Sequence, residues 1–200
     1  MFGWIKRIFN RRPVVYKNVA KEPVVQLPCD VKKIANLGLE VHNLEGFTEA
    51  EKQKYLKSAE AAVFVLNTQN FKDWCLSYKF TSTTLTNPEI YAKIMSGDDI
   101  HSPKDNDFDI HAILYYSSKN VVGYTYYNTM KTWINKKFFM IWGIDGVAGN
   151  IVHEGMHKLS FNHASATDHS SVPYSVGYFV RDFIKYLLET GRDQGCLIKR

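Results

Sequence analysis

HEGMHKLSFNH, residues 153–163, sets the frame for the whole 200-residue chain. Helix side chains four apart stand on one face a turn from each other, so His153 and His157 can grip one cation such as Zn²⁺. Glu154 lies about 100° round that helix from His153, beside the cation rather than on it. A carboxylate there can take a proton from a water polarised by the metal and later hand it to a leaving amine. His163 follows six residues after His157, enough chain to leave the helix, turn back and offer a third nitrogen. With this content of His and Glu, HExxH arises by chance on the order of once in a hundred such chains, and the third His lowers that about thirtyfold. The plainer alternative makes these histidines hydrogen-bonded core residues. Three imidazoles and a carboxylate crowded so closely are costly to bury without a cation.

Outward from this segment, apolar spacing predicts a helix from about Asp145 to Leu159 and a last one from about Pro173 to Leu188, striped by Phe179, Phe183, Tyr186 and Leu187. Upstream, the alternation Phe108, Ile110, Ala112, Leu114, Tyr116 suits a half-buried strand over Asp107–Ser117. Val121–Tyr127 and Thr132–Ile134 read as two more strands, with turns around Lys119–Asn120 and Asn128–Lys131. Further back, Thr48 with Glu51 three residues on is a capping box, and Tyr55, Leu56, Ala59, Val63 and Leu66 give its helix a buried stripe. A second helix is expected over Asn70–Tyr78. A Thr-rich loop covers 81–87, a short helix runs from Pro88 to Gly97, and a charged loop from Asp98 to Asp107. Helices, then a small mixed sheet, then the histidine-bearing helix and a C-terminal helix make an α+β fold in one domain, placed at residues 31–200.

The first thirty residues differ in kind. MFGWIKRIFNRRP reads as a basic amphipathic segment (1–12) stopped by Pro13, and residues 13–30 as an extended, proline-punctuated linker. Residues 1–33 hold eight Lys/Arg against two acids, a net +6 of the chain's +5, so the remainder is close to −1. Basicity therefore belongs to this segment, and no nucleic-acid-binding face is expected on the domain. The segment lacks the pattern of a secretory signal, which favours a cytoplasmic or virion-associated location over secretion. With Trp4 among its cations it is a candidate for peripheral contact with an anionic membrane or an assembly. No apolar run reaches the length of a membrane-spanning helix. Three scattered cysteines form no disulfide framework. Cys29 reads as an ordinary thiol, with a zinc-capping role as the alternative. His42, His101 and His111 have no ligand spacing.

The 153–163 segment resembles the signature of the metzincin group of zinc metallopeptidases, HExxHxxGxxH. The resemblance implies that His153, His157 and His163 are zinc ligands and Glu154 the general base. It also implies that VVGYTYYN and TWINKKFF belong to a sheet bordering the substrate cleft. Two positions depart from the pattern. Ser160 stands where the group has glycine at the sharp turn out of the helix, with Asn162 as a candidate to take over the left-handed residue. No Met follows Met156, so the methionine turn beneath the metal is missing. The stretch SSVPYSVGY (170–178) falls there, with Pro173 and Tyr174 as its platform and Tyr174 aimed at the metal or the oxyanion; a core role for Tyr174 is the alternative. The departures suggest a divergent, minimal relative of the kind seen in phage and bacterial genomes.

Other third ligands are Asp168 and His169, or Glu189 on the last helix, while Asp168 also suits an imidazole acceptor or a surface turn. The expected function is a zinc-dependent hydrolase of amide bonds, an endopeptidase acting on protein or peptide as a monomer. The alternative is an inactive, zinc-stabilised binding or structural module anchored through residues 1–12.

Overall fold

Thr48 opens the first long helix as its sequence dictates. Its hydroxyl accepts from the Glu51 N–H while the Glu51 carboxylate accepts the Thr48 N–H at 2.8 Å, which satisfies two of the end donors reciprocally. The computed structural model describes residues 31–99, 104–126 and 129–191. The basic segment 1–12, the linker 13–30 with Cys29, and His101 lie outside them. In chain order the elements are β1 (Gly38–Glu45), α1 (Glu49–Leu66), α2 (Gln69–Ser77), α3 (Asn87–Met95), β2 (Asp107–Tyr115), β3 (Gly123–Thr125), β4 (Lys131–Asn135), α4 (Lys136–Ile141), α5 (Ile144–Lys158) and α6 (Val172–Glu189). The result is a single α+β domain with a small mixed sheet. Among the described residues no helix is long and apolar enough to cross a membrane.

The strands lie in the order β1-β2-β4-β3. β1 pairs with β2 and β2 with β4 in parallel, and β3 closes one edge antiparallel to β4. A parallel pair needs a long crossover, and α1 to α3 supply it between β1 and β2. β1 is a correction to the expected order: the sheet begins before the helices rather than after them. A second correction falls on TWINKKFF, which leaves the sheet after Asn135. The Asn135 side chain accepts from the Lys137 N–H and caps α4, so Lys136–Ile141 is helix. The third concerns 81–87, whose last residues start α3: the Thr86 N–H donates to the Glu89 carboxylate at 2.7 Å.

The inward side chains of β2, Phe108, Ile110, Ala112 and Leu114, are buried against the helical layer. Tyr55, Ala59, Ala62 and Leu66 of α1 meet Val152 and Met156 of α5 and Val176, Val180 and Ile184 of α6 in one core. α5 and α6 cross at two glycines. A Cβ on Gly177 would stand 2.8 Å from the Gly149 carbonyl oxygen and 3.2 Å from His153 Cβ, so only bare backbone lets the helices approach this far. That approach sets His153 against the first turn of α6.

Candidate metal centre

α5 carries His153, Glu154 and His157 and then stops abruptly. Ser160 takes a positive φ of 64°. Its N–H reaches the His157 carbonyl at 3.0 Å, and the Phe161 N–H reaches the Met156 carbonyl at 3.0 Å, the two bonds of a Schellman turn. Buried Phe161 and Met156 are the apolar pair that accompanies such a turn. Ser160 itself therefore performs the turn that glycine makes in the metzincin signature. The expectation that Asn162 takes it over is corrected, because positive φ among the described non-glycine residues falls on Ser82, Asn106 and Ser160.

The turn brings His163 back over the helix. The ring centroids of His153, His157 and His163 lie 5.1, 5.6 and 5.1 Å apart, and one ring nitrogen of each lies within 4.8 Å of the others. The outer nitrogens of His157 and His153 are also engaged. His157 Nδ1–H donates to the Phe161 carbonyl at 2.9 Å, which leaves Nε2 with its lone pair free for a ligand role. The His153 ring bonds the Pro173 backbone, which without an N–H can only accept, at its carbonyl oxygen. Carbonyls that fix the tautomer of an imidazole are the usual outer shell of a metal-ligating histidine. Burial and the neighbouring imidazoles push His153 down to about 3, and burial likewise lowers His157. Both rings are therefore neutral donors at neutral pH. The donor set fits a borderline divalent ion such as Zn²⁺.

Glu154 lies under β3. It is 4% exposed, and its Oε2 is buried with no hydrogen-bond partner. Burial pushes its carboxyl up to about 7, against the Thr125 and Asn150 side chains and the Lys158 charge, which favour the ionised form. Gly123 makes room for it, since a Cβ there would lie 3.3 Å from Glu154 Oε1. Thr125, Asn150 and Lys158 escaped the sequence analysis. Helical spacing could have found two of them, because Asn150, Glu154 and Lys158 recur every four residues on one face of α5.

Tyr174, in the first turn of α6, is half-buried with its ring 4.5 Å from that of His153 and 4.9 Å from that of His163. Burial, with the Glu154 charge, raises its hydroxyl above the ordinary phenol value. Among the described residues the competing ligands do not join this group. Asp168 accepts the Thr81 hydroxyl at 2.6 Å, the Ser82 hydroxyl and the Ala164 N–H, while the Thr81 N–H donates to the Ser170 carbonyl. It is a surface turn residue that ties the loop after His163 to the segment before α3. His169 Nδ1 meets the Tyr178 hydroxyl at 3.2 Å, and Glu189 pairs with Lys185 on the exposed end of α6. Comparison with protein-family models, with curated proteins and with solved structures finds no match.

Proposed function

We propose that the protein is a metal-dependent hydrolase of amide bonds, an endopeptidase of metzincin type, with Zn²⁺ held by His153, His157 and His163. The observation that carries this reading is the convergence of three imidazoles beside a buried carboxylate that has one oxygen unpartnered. An ion held by His153, His157 and His163 would supply Lewis acidity that polarises the scissile carbonyl and acidifies a water. Glu154 is the general base: it accepts the proton of the attacking water at Oε2 and returns it to the leaving nitrogen. Thr125 and Asn150 hold the carboxyl group in place and favour its charged form. Tyr174, against two of the imidazoles, stands where a hydroxyl can donate to the developing oxyanion. An extended segment of protein or peptide substrate would add to β3, the edge strand under which Glu154 lies.

The test joins metal content to cleavage. The purified protein should retain about one Zn²⁺ at the three-histidine site and cut an unstructured protein substrate. A chelator should stop cleavage and Zn²⁺ restore it. Glu154→Gln should keep the metal and lose cleavage by roughly 10²–10⁴-fold, the usual worth of a general base. Full cleavage by that variant, or a His163→Ala variant that holds as much metal as wild type, would overturn the proposal.

A further inference from the structure

A second set of donors meets at the start of the β1–β2 ladder. Asp109 alternates with the core residues Phe108 and Ile110, so its side chain leaves the sheet on the opposite face. The register sets Glu40 beside Asp109. It then slips: Val41 pairs with Ile110 and Asn43 with His111, leaving His42 as the extra residue of a bulge. Released from the ladder, the His42 ring comes onto Asp109, with Nε2 2.6 Å from Oδ1 and Nδ1 3.6 Å from Glu40 Oε1. One ligand atom from each of the three lies within 4.8 Å of the others.

An independent feature gives this cluster a ligand to seek. Asp109 is 4% exposed, its carboxylate faces the cluster through Oδ1, and its Oδ2 is buried with no hydrogen-bond partner. A bare carboxylate oxygen in such a place is expensive, and a cation is the partner that relieves it most. The Lys158 ammonium at the end of α5 attracts the Asp109 carboxylate through its charge but gives its hydrogen bond to the Asp109 backbone carbonyl, so Oδ2 stays without one. Glu40 also lies within ligand reach of Asp105 and Asp107, which brings four carboxylates to one corner. Gly38 leaves space there, since a Cβ would fall 1.8 Å from Asp107 Oδ1.

We propose that Glu40, His42 and Asp109 form a second divalent-cation site, separate from the three histidines, which clamps β1 to β2. One imidazole with carboxylates suits a first-row ion of the Mn²⁺ or Zn²⁺ class and is a harder set than three nitrogens. The site needs none of the hydrolase chemistry. Full-length protein stripped with chelator is titrated with Zn²⁺ alone, and bound metal is counted by equilibrium dialysis with elemental analysis. Wild type should bind two equivalents. His42→Ala and Glu40→Gln, at side chains 36% and 53% exposed, should each bind one. His163→Ala should also keep one, and the pair His42→Ala with His163→Ala none. In the His163→Ala background, Mn²⁺ should raise the melting temperature, and adding His42→Ala should abolish that rise. Two equivalents unaffected by His42→Ala and Glu40→Gln overturn the second site, as does a single equivalent that His163→Ala removes. A single equivalent kept by His163→Ala but lost by His42→Ala supports it and overturns the three-histidine reading instead.

Discussion

Ser160→Gly should make the protein more stable although it removes atoms and adds no contact. At φ 64° a residue with a Cβ sits in the left-handed region, at a cost of roughly 1–2 kcal/mol. Glycine escapes that cost but gives back roughly 0.5–1 kcal/mol through its greater freedom when unfolded. Ser160 is exposed, so little packing is lost with its side chain. The net gain is up to about 1.5 kcal/mol, centred on ~0.75, which in a domain of this size raises Tm by a few degrees, at most about 6 °C. Urea denaturation of metal-free protein measures it as a higher midpoint at unchanged slope. Ser160→Val is the opposite probe, because a β-branched side chain is strained at this φ. It should lower the midpoint and also weaken Zn²⁺ binding, since the turn is what brings His163 back. A midpoint that falls in Ser160→Gly, or a Ser160→Val variant that melts and binds like wild type, would refute the placement of the turn at this residue.

Three further outcomes follow from the packing and the electrostatics. Gly177→Ala puts a Cβ 2.8 Å from the Gly149 carbonyl oxygen and should cost about 1–3 kcal/mol in thermal or urea unfolding, with weaker Zn²⁺ binding because His153 is displaced. Asn135 is fully buried and bonds the carbonyls of Ser117, Lys119 and Val121 while capping α4. Asn135→Ala should therefore destabilise by about 2–3 kcal/mol in the same assay. In metal-free protein, His153 and His157 stay neutral in the fold while the unfolded chain protonates each below about pH 6.5, so their contribution is full above that pH and declines below it. Glu154 acts oppositely: with its folded value up to about 7 it binds a proton the unfolded chain still lacks, and it adds stability as pH falls from 7 towards 4.5. Glu154→Gln removes that offset and should steepen the acid loss between pH 6.5 and 5 by up to about 1.4 kcal/mol per pH unit; equal slopes in urea titrations would contradict it.

What could be read from the sequence followed where local pattern and tertiary structure agree. Thr48 with Glu51 announces α1, and the striped Val172–Glu189 announces α6, because caps and helical periodicity are local. β1 was missed for a physical reason. Leu39 and Val41 alternate, but the bulge at His42 moves the next packed residue to Leu44, and the period-two pattern breaks in the middle of the strand. α4 was missed because Phe138–Ile141 is one apolar run, and the feature that makes it helical is the Asn135 cap. The three histidines and Glu154 were found because their spacing is set within one helix and one turn. Thr125 is not legible in this way, since it reaches the centre from β3 through folding alone, and although Pro173 stands out as a platform residue, the bond of its backbone to the His153 ring has no local signal.

The bonds from Thr81 and Ser82 to Asp168 span 87 and 86 positions of the chain. They bear on any attempt to trim or transplant the histidine segment. A peptide of residues 131–191 includes His153, His157, His163 and Glu154, yet omits the anchor on which the returning loop is moored. Grafting the eleven letters onto a foreign scaffold transfers two donors on a helix and leaves the third adrift. Affinity for the proposed ion would accordingly be distributed through the domain, and a portable unit should still contain residue 81.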